Sequence, residues 1–344
     1  MALTRKELAK MMNISPAALS LVLNNKPGVS EETRRRVLAQ VEEFGCSGWI
    51  RKQERKSDNL CLILYKKHGV IVDQHPFILQ LMESVESRAR KYGLSMLMST
   101  VDSRQEIKPQ CERINCLDAR GAVVIAVEMD DSDRDTLRCL RLPLVCLSNA
   151  FVRQDVDAVL TNNQMGTFQA IEHLVQLGHT RIGYLRSSVR IGMFEERQEG
   201  FASALAAFGL TLREEDVFTL GYTEQQSYQD FRTYLQQDDV LPSALVADDD
   251  TLALGAIKAL EEEGWRVPED ISVVGFGDRA GCDAGQPPLT SVSVSPYAIG
   301  VAAVDTLMQG LEREMDDPRT QKVCVSTKLV VRSSTGAYIG MDDD

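Results

Sequence analysis

The sequence has no window approaching 18 consecutive apolar residues, and its opening "MALTRKELAK" lacks the apolar core of a secretion signal. Neither a membrane span nor export is therefore expected, and the chain is read as cytoplasmic. Its eight cysteines, at 46, 61, 111, 116, 139, 146, 282 and 324, include no C-x-x-C pair and follow no regular spacing. They read as reduced, mostly buried small hydrophobes, which excludes a disulfide framework and leaves a metal site without support. No motif places a Ser-His or Cys-His arrangement. The acidic run "DDD" at 248–250 lacks the spacing of a closed metal site, and it cannot flank one glycosidic bond with two carboxyls. Catalysis is not expected, and no cofactor is called for.

What is present is a long chain with uneven charge. At 344 residues and 44% hydrophobic content, two or three packed units are expected. The net charge of −12 conceals a basic head: residues 1–59 carry 11 Lys and Arg against 7 Asp and Glu, so the remainder is strongly acidic. A basic head on an acidic body suits contact between the head alone and a polyanion, although charge runs are more often solvated faces.

Three helix starts follow one another in that head. Thr4 and Glu7 form a capping box, with Leu3 and Leu8 as its apolar staple. Ser15 followed by Pro16 is an N-cap with proline at the first helical position. Ser30 starts a third helix whose inner stripe is Val37, Leu38, Val41 and Phe44, ended by Gly45. Two short helices joined by "MNI" with a third behind them predict a helix-turn-helix; a plain helical hairpin is the alternative. In "SPAALSLVLNN" the apolar Leu19, Val22 and Leu23 make one buried stripe, leaving Pro16, Ala17, Ser20, Leu21 and Asn24 outward. That small, nearly uncharged face suits close approach to a major groove.

Beyond a charged linker, "RKQERKSDN", short apolar runs alternate with helical segments: "LCLILYK", "LSMLMST", "AVVIAVE" and "LPLVCLS", then "RIGYL", "VFTLGY", "SALVA" and "ISVVGF". This predicts an α/β protein with parallel sheets in two lobes, and a ligand cleft between them at the carboxyl ends of the strands.

In order and spacing, "ELAKMMNISPAALSLVLNNKPGVSEETRRRV", "AIEHLVQLGHTRIGYL", "ERQEGFASAL", "ALVADDDTLALGAIKALEEEGWRVPEDISVVGF" and "PPLTSV" resemble the LacI/GalR family of bacterial transcription regulators. The resemblance implies an N-terminal helix-turn-helix head on a two-lobed, periplasmic-binding-protein-like effector domain. The domains would be a head at 1–45, a hinge at 46–59, a first lobe at 60–160 and 293–325, and a second lobe at 161–292 and 326–344. It implies a sequence-specific repressor that binds double-stranded operator DNA as a homodimer, its affinity set by a small molecule, a sugar or sugar derivative, between the lobes. The tail "KLVVRSSTGAYIGMDDD" has no leucine heptads, so a dimer without a tail coiled coil is expected. A small-molecule sensor whose head has lost DNA binding is the alternative function.

Residue by residue, the resemblance assigns base contacts to Pro16, Ala17 and Leu21, with Thr4, Ser15, Ser20, Asn24 and Asn25 also at the DNA. Leu21 stands where the family commonly has Arg, so it offers apolar contact with a thymine methyl, or else helix tilt buries it in the head. The family's hinge helix would fall on "CSGWIRKQERKS", with Arg55 at its wedge-leucine position. An electrostatic hinge is therefore expected, in which Arg51, Lys52, Arg55 and Lys56 track phosphates or a narrow minor groove; Trp49 or Ile50 as an apolar wedge is the rival. For the cleft the resemblance gives His68, Phe77, Asn162, Met193, Arg197, Tyr222, Asp249, Asp250 and Asp278. Arg197 would clamp ligand oxygens. One of Asp249 and Asp250 would cap the following helix, His68 could be merely solvated, and His179 reads as a structural turn residue. Asn162 and Gly277 stand where carboxylates are usual. With Arg197 retained and Lys67 and His68 near, an anionic sugar, such as a sugar acid or phosphate, is the expected effector.

Overall fold

The computed structural model describes residues 5–23, 28–44, 57–73, 76–149, 151, 155–237, 240–313 and 319–338. The chain divides into two compact units, Met1–Ser57 and Asp58–Asp344.

In the first unit, α1 (Arg5–Met11), α2 (Pro16–Leu23) and α3 (Glu31–Glu43) enclose a small core of Leu8, Ala9, Met12, Leu19, Val22, Leu23, Val37 and Val41. Ser15 Oγ accepts the Ala18 N–H at 3.0 Å and caps α2, as a serine before an N1 proline should. The turn into α2 passes through Asn13 at φ 51°, the left-handed region that asparagine tolerates. Ser30 Oγ accepts the Thr33 N–H at 3.3 Å at the start of α3. Phe44 departs from the expected inner stripe: it lies one residue past the end of α3 and is 41% exposed.

The second unit holds two six-stranded sheets. The first lobe comprises β1 (Asn59–Lys66), α4 (Pro76–Lys91), β2 (Ser95–Asp102), α5 (Ile107–Asn115), β3 (Ala122–Ile125), α6 (Arg134–Cys139), β4 (Leu144–Leu147) and β5 (Asp157–Thr161). The second comprises α7 (Asn163–Gln176), β6 (Ile182–Ser187), α8 (Gly192–Ala207), β7 (Val217–Leu220), α9 (Glu224–Leu235), β8 (Ala244–Ala247), α10 (Asp250–Glu262), β9 (Ser272–Gly277) and β10 (Thr290–Ser293). Then α11 (Pro296–Glu312) packs on α4 and β5, β11 (Lys322–Val325) joins the first sheet, and β12 (Lys328–Val330) the second.

The sheet orders are β11-β5-β4-β3-β1-β2 and β12-β10-β9-β8-β6-β7. Every pairing is parallel except β10 with β12. Central strands such as "AVVI" and "ALVA" are buried at every position, as covering helices on both faces require. The run "AVVIAVE" is strand only as far as Ile125, because the chain then turns, with the Met129 N–H bonded to Ala126 O at 3.0 Å.

The chain passes between the lobes after Thr161, after Ser293 and after Val325. Two of these crossings are tied together by the Asn162 N–H bond to Val325 O at 2.9 Å. Cys61, Cys111, Cys146 and Cys282 are buried free thiols, and burial pushes the Cys146 thiol up to about 12. No helix among the described residues is long and apolar enough to cross a membrane.

Candidate effector cleft and DNA-facing head

Doubly wound lobes leave their ligand groups at strand ends, and a cavity is found there. The first lobe contributes Ile71, Phe77, Ile78, Val127 and Thr161. The second contributes Ile191, Met193, Phe194, Arg197, Tyr222, Asp249 and Gly277, with Val294 at a crossing. Its free volume is about 40 Å³, which accommodates about three waters.

Arg197 projects from α8 and is only 5% exposed. Its guanidinium lies 3.7 Å over the Phe276 ring, which reaches this position because Gly166 has no Cβ; one would come within 2.7 Å of that ring. Nε donates to Asn163 Oδ1 at 2.9 Å and Nη1 to Asp248 O at 2.5 Å. The other terminal nitrogen has no hydrogen bond to the described residues and is left as a donor for the cavity that Arg197 lines. Burial lowers the Arg197 pKa, against the opposing pull of Asp249 and Asp248.

Asp248 is itself buried and accepts from Tyr184 Oη at 2.5 Å, Ser187 N at 2.7 Å and Arg190 Nη1 at 2.6 Å. Burial raises its pKa while Arg190 and these hydrogen bonds pull it down. Asp249 caps α10 by accepting the Thr251 N–H at 2.8 Å while lining the cavity. Tyr222 is 3% exposed, and among the described residues its hydroxyl has no well-formed hydrogen bond, with the Thr251 side chain its polar neighbour. Burial and the neighbouring Asp249 raise its pKa well above the ordinary phenol value.

Sharing Ile191 with this cavity is a polar hollow lined by Asp130, Asp131, Glu195, Glu196 and Glu199, with Arg190 its basic residue. Asp130 pairs with Lys67 at 2.6 Å, and Arg190 is already bonded to Asp248 at 2.6 Å. The hollow adjoining the cavity is therefore acidic.

In the head, Ser15, Pro16, Ala17 and Ser20 are exposed along α2. Leu21 is half-buried beside Gly28, where a Cβ would come within 3.3 Å of Leu21 Cδ1. Thr4, Asn24, Asn25, Arg51 and Arg55 lie outside the described residues, as do Trp49, Ile50, Lys52 and Lys56 of the expected hinge.

Residues 4–46 match the family model for bacterial regulatory proteins of the lacI family, and residues 171–335 match a periplasmic binding protein-like domain. The chain thus joins a LacI-type helix-turn-helix head to a periplasmic-binding-protein-like domain. The HTH-type transcriptional repressor PurR of Mannheimia succiniciproducens is 28% identical over 335 residues, covering 96% of this chain and 98% of that protein. PurR of Haemophilus influenzae is 27% identical over 344 residues, covering 98% and 99%.

Among solved structures, a CelR–cellobiose complex has a TM-score of 0.71 at 23% identity, covering 97% of this chain and all of that one. A lac repressor dimer bound to operator and the anti-inducer ONPF has 0.69 at 24%, covering 98% and 100%. A regulator from Enterococcus faecium with bound ribose has 0.67 at 22%, covering 81% and 100%. These three share the fold. The head is that of a lacI-type bacterial regulatory protein, and the relatives are named as transcriptional repressors, not enzymes.

Of the cleft residues expected from the LacI/GalR resemblance, Phe77, Met193, Arg197, Tyr222 and Asp249 come together around the cavity. The other four do not line it. Asn162 is the N-cap of α7, its Oδ1 accepting the Met165 N–H at 3.0 Å. Asp250 is fully buried behind β9, accepting from Ser291 Oγ at 2.6 Å and Arg279 N at 2.9 Å. It fits there because Gly275 has no Cβ, which would come within 2.2 Å of Asp250 Oδ1; burial and the adjacent Asp249 push its pKa up to about 6. Asp278, at φ 55°, is paired with Arg332 at 2.7 Å. His68 lies on the loop after β1 with Nδ1 3.2 Å from Glu128 Oε1.

His179 makes structural bonds to Ser243 Oγ at 2.9 Å and to Ser272 Oγ and Gly336 O at 3.1 Å each. Sequence reasoning missed Ile71, Ile78, Val127, Thr161, Ile191, Phe194 and Val294. The available signal was position, since most of them stand just past a strand end.

Proposed function

We propose that this repressor binds its operator as a homodimer through the exposed N-terminal face of α2, and that a neutral sugar or sugar derivative held between the lobes sets its operator affinity. The cavity wall carries the effector reading. Only Thr161, Arg197, Tyr222 and Asp249 bring polar side chains to a lining otherwise made of aliphatic and aromatic groups. A ring with an apolar face and one polar edge matches that lining, whereas a highly ionised ligand would bury charge without compensation.

The anionic effector expected from Arg197, Lys67 and His68 is disfavoured on two grounds. Arg197 already has Asp248 and Asp249 beside it, and the adjoining hollow is rich in carboxylates. Lys67 is turned away into ion pairs with Asp130 at 2.6 Å and Asp133 at 2.9 Å. The sugar class is supported by the cellobiose and ribose in the CelR and Enterococcus faecium structures. Self-association is supported by large apolar side chains left open on neighbouring elements of the first lobe, Leu79 of α4 at 60% and Met98 of β2 at 56% exposed.

Calorimetry with ribose, cellobiose, glucose and glucuronate tests the effector reading: binding confined to glucuronate and lost in Arg197→Ala would overturn it. Gel shifts across a salt series test the head. Operator binding should weaken steeply with salt and vanish when residues 1–57 are removed; equal binding by the truncated protein would refute the assignment. Leu79→Glu should shift the sedimenting species towards monomer.

A further inference from the structure

The geometry points to Glu128 as the positioning residue that holds one wall of the effector cavity, its carboxylate acting as a built-in anion inside a nest of backbone N–H groups. The inference rests on the reading of the cleft as the effector site. Glu128 follows the cavity residue Val127 in the turn just past β3, and only 3% of it is exposed.

Its Oε2 accepts the N–H groups of Lys67 at 2.9 Å, His68 at 3.1 Å and Gly69 at 2.8 Å. Its Oε1 accepts those of Ile71 at 2.9 Å and Val72 at 3.1 Å, and has His68 Nδ1 at 3.2 Å. Between these groups, the Val70 N–H is taken by His68 Nδ1 at 3.2 Å. One side chain thus satisfies nearly every amide of the loop that follows β1, and this loop delivers Ile71 to the cavity.

A loop normally satisfies its amides with water or with its own carbonyls. Here a carboxylate from the turn after β3 replaces both, at a point where a backbone nest would otherwise attract a free anion. Burial would raise the Glu128 pKa, but the hydrogen bonds from Gly69, Val72 and Ile71 outweigh it and hold the carboxyl below its ordinary value. Gly69 permits the wrap: at φ 79°, a Cβ there would come within 2.8 Å of Asp73 Oδ2. Glutamine cannot substitute, because its NH₂ would face N–H donors on one side of the nest.

The experiment is amide exchange by mass spectrometry on the full chain. In Glu128→Ala the amides of residues 67–72 should exchange at least tenfold faster, while those of β8 and β9 in the other lobe keep wild-type protection. Formate, which fits the space vacated by the truncated carboxylate, should restore most of the lost protection in Glu128→Ala. It should leave the wild type unchanged and should not rescue Glu128→Gln, whose amide still fills the nest. Undiminished protection in Glu128→Ala, or loss that formate fails to reverse, overturns the assignment. The readout needs no effector, so failure of the sugar panel would remove the cleft reading and leave this result standing.

Discussion

On the first-lobe side of the cleft stand Ile71, Phe77, Ile78 and Val127; on the second-lobe side stand Arg197, Tyr222 and Asp249, with Asp248 and Asp250 packed behind them. The first wall supplies shape, and its polar machinery, centred on Glu128, is spent on holding the backbone. The second supplies chemistry, and its charged groups hold one another at the edge of the cavity. The contrast teaches that a two-lobed sensor can divide recognition, one lobe setting which ligands fit and the other which are bonded.

Substitutions that break each wall should therefore differ in size and kind. Arg197→Ala should have the largest effect. It strips Asp248 O and Asn163 Oδ1 of their donor and leaves the Asp248 and Asp249 carboxylates undercompensated, so urea unfolding should show a loss of about 4 kcal/mol. A loss below about 1 kcal/mol would mean that Arg197 is not integral to this wall.

Asp250 comes next, and its effect depends on pH. With a folded pKa of about 6, above the ordinary carboxyl value, its contribution is fully present below about pH 4 and disappears as the pH rises through 6. The span is about 3 kcal/mol by linkage. Asp250→Asn should flatten the stability profile between pH 4 and 6; an unchanged slope would show that Asp250 is ionised throughout that range.

On the apolar wall, Ile71→Ala should cost about 2 kcal/mol, at the low end for a buried isoleucine because the side chain borders an existing cavity. Its sharper signature is specificity, measured by calorimetry as a shift towards bulkier sugars. Tyr222→Phe should have the smallest effect on stability, within about 0.5 kcal/mol, because the hydroxyl it removes makes no well-formed hydrogen bond among the described residues. A drop in effector affinity of about tenfold alongside that unchanged stability would assign the hydroxyl to the ligand.

Much of this was legible in the chain. Ser15-Pro16 and the stripe Leu19, Val22 and Leu23 marked α2 because capping and amphipathic spacing are local signals. Central strands stood out as continuous apolar runs, but β5 and β11 lie at one side of the first sheet, β5 with half-buried positions among its buried ones and β11 with no buried position at all, which hides them. At the cleft, motif position identified Arg197 and Asp249. It could not separate a carboxylate lining the cavity from Asp250, one residue further on and buried, nor Asn162 from an ordinary N-cap. Those distinctions depend on side-chain direction and on partners up to about 40 residues away, such as Ser291 for Asp250. Glu128 was invisible for the same reason, since its partners are loop amides 56 to 61 positions earlier.

The cavity's free volume of about 40 Å³ also has a kinetic meaning. A monosaccharide is larger than that space, so capture is expected to wait on an opening step rather than on diffusion alone. In stopped-flow mixing, the observed rate should climb with sugar concentration and then level off at a ceiling set by the protein. Sensing by this repressor would then have a fixed fastest response time, however abruptly the sugar arrives.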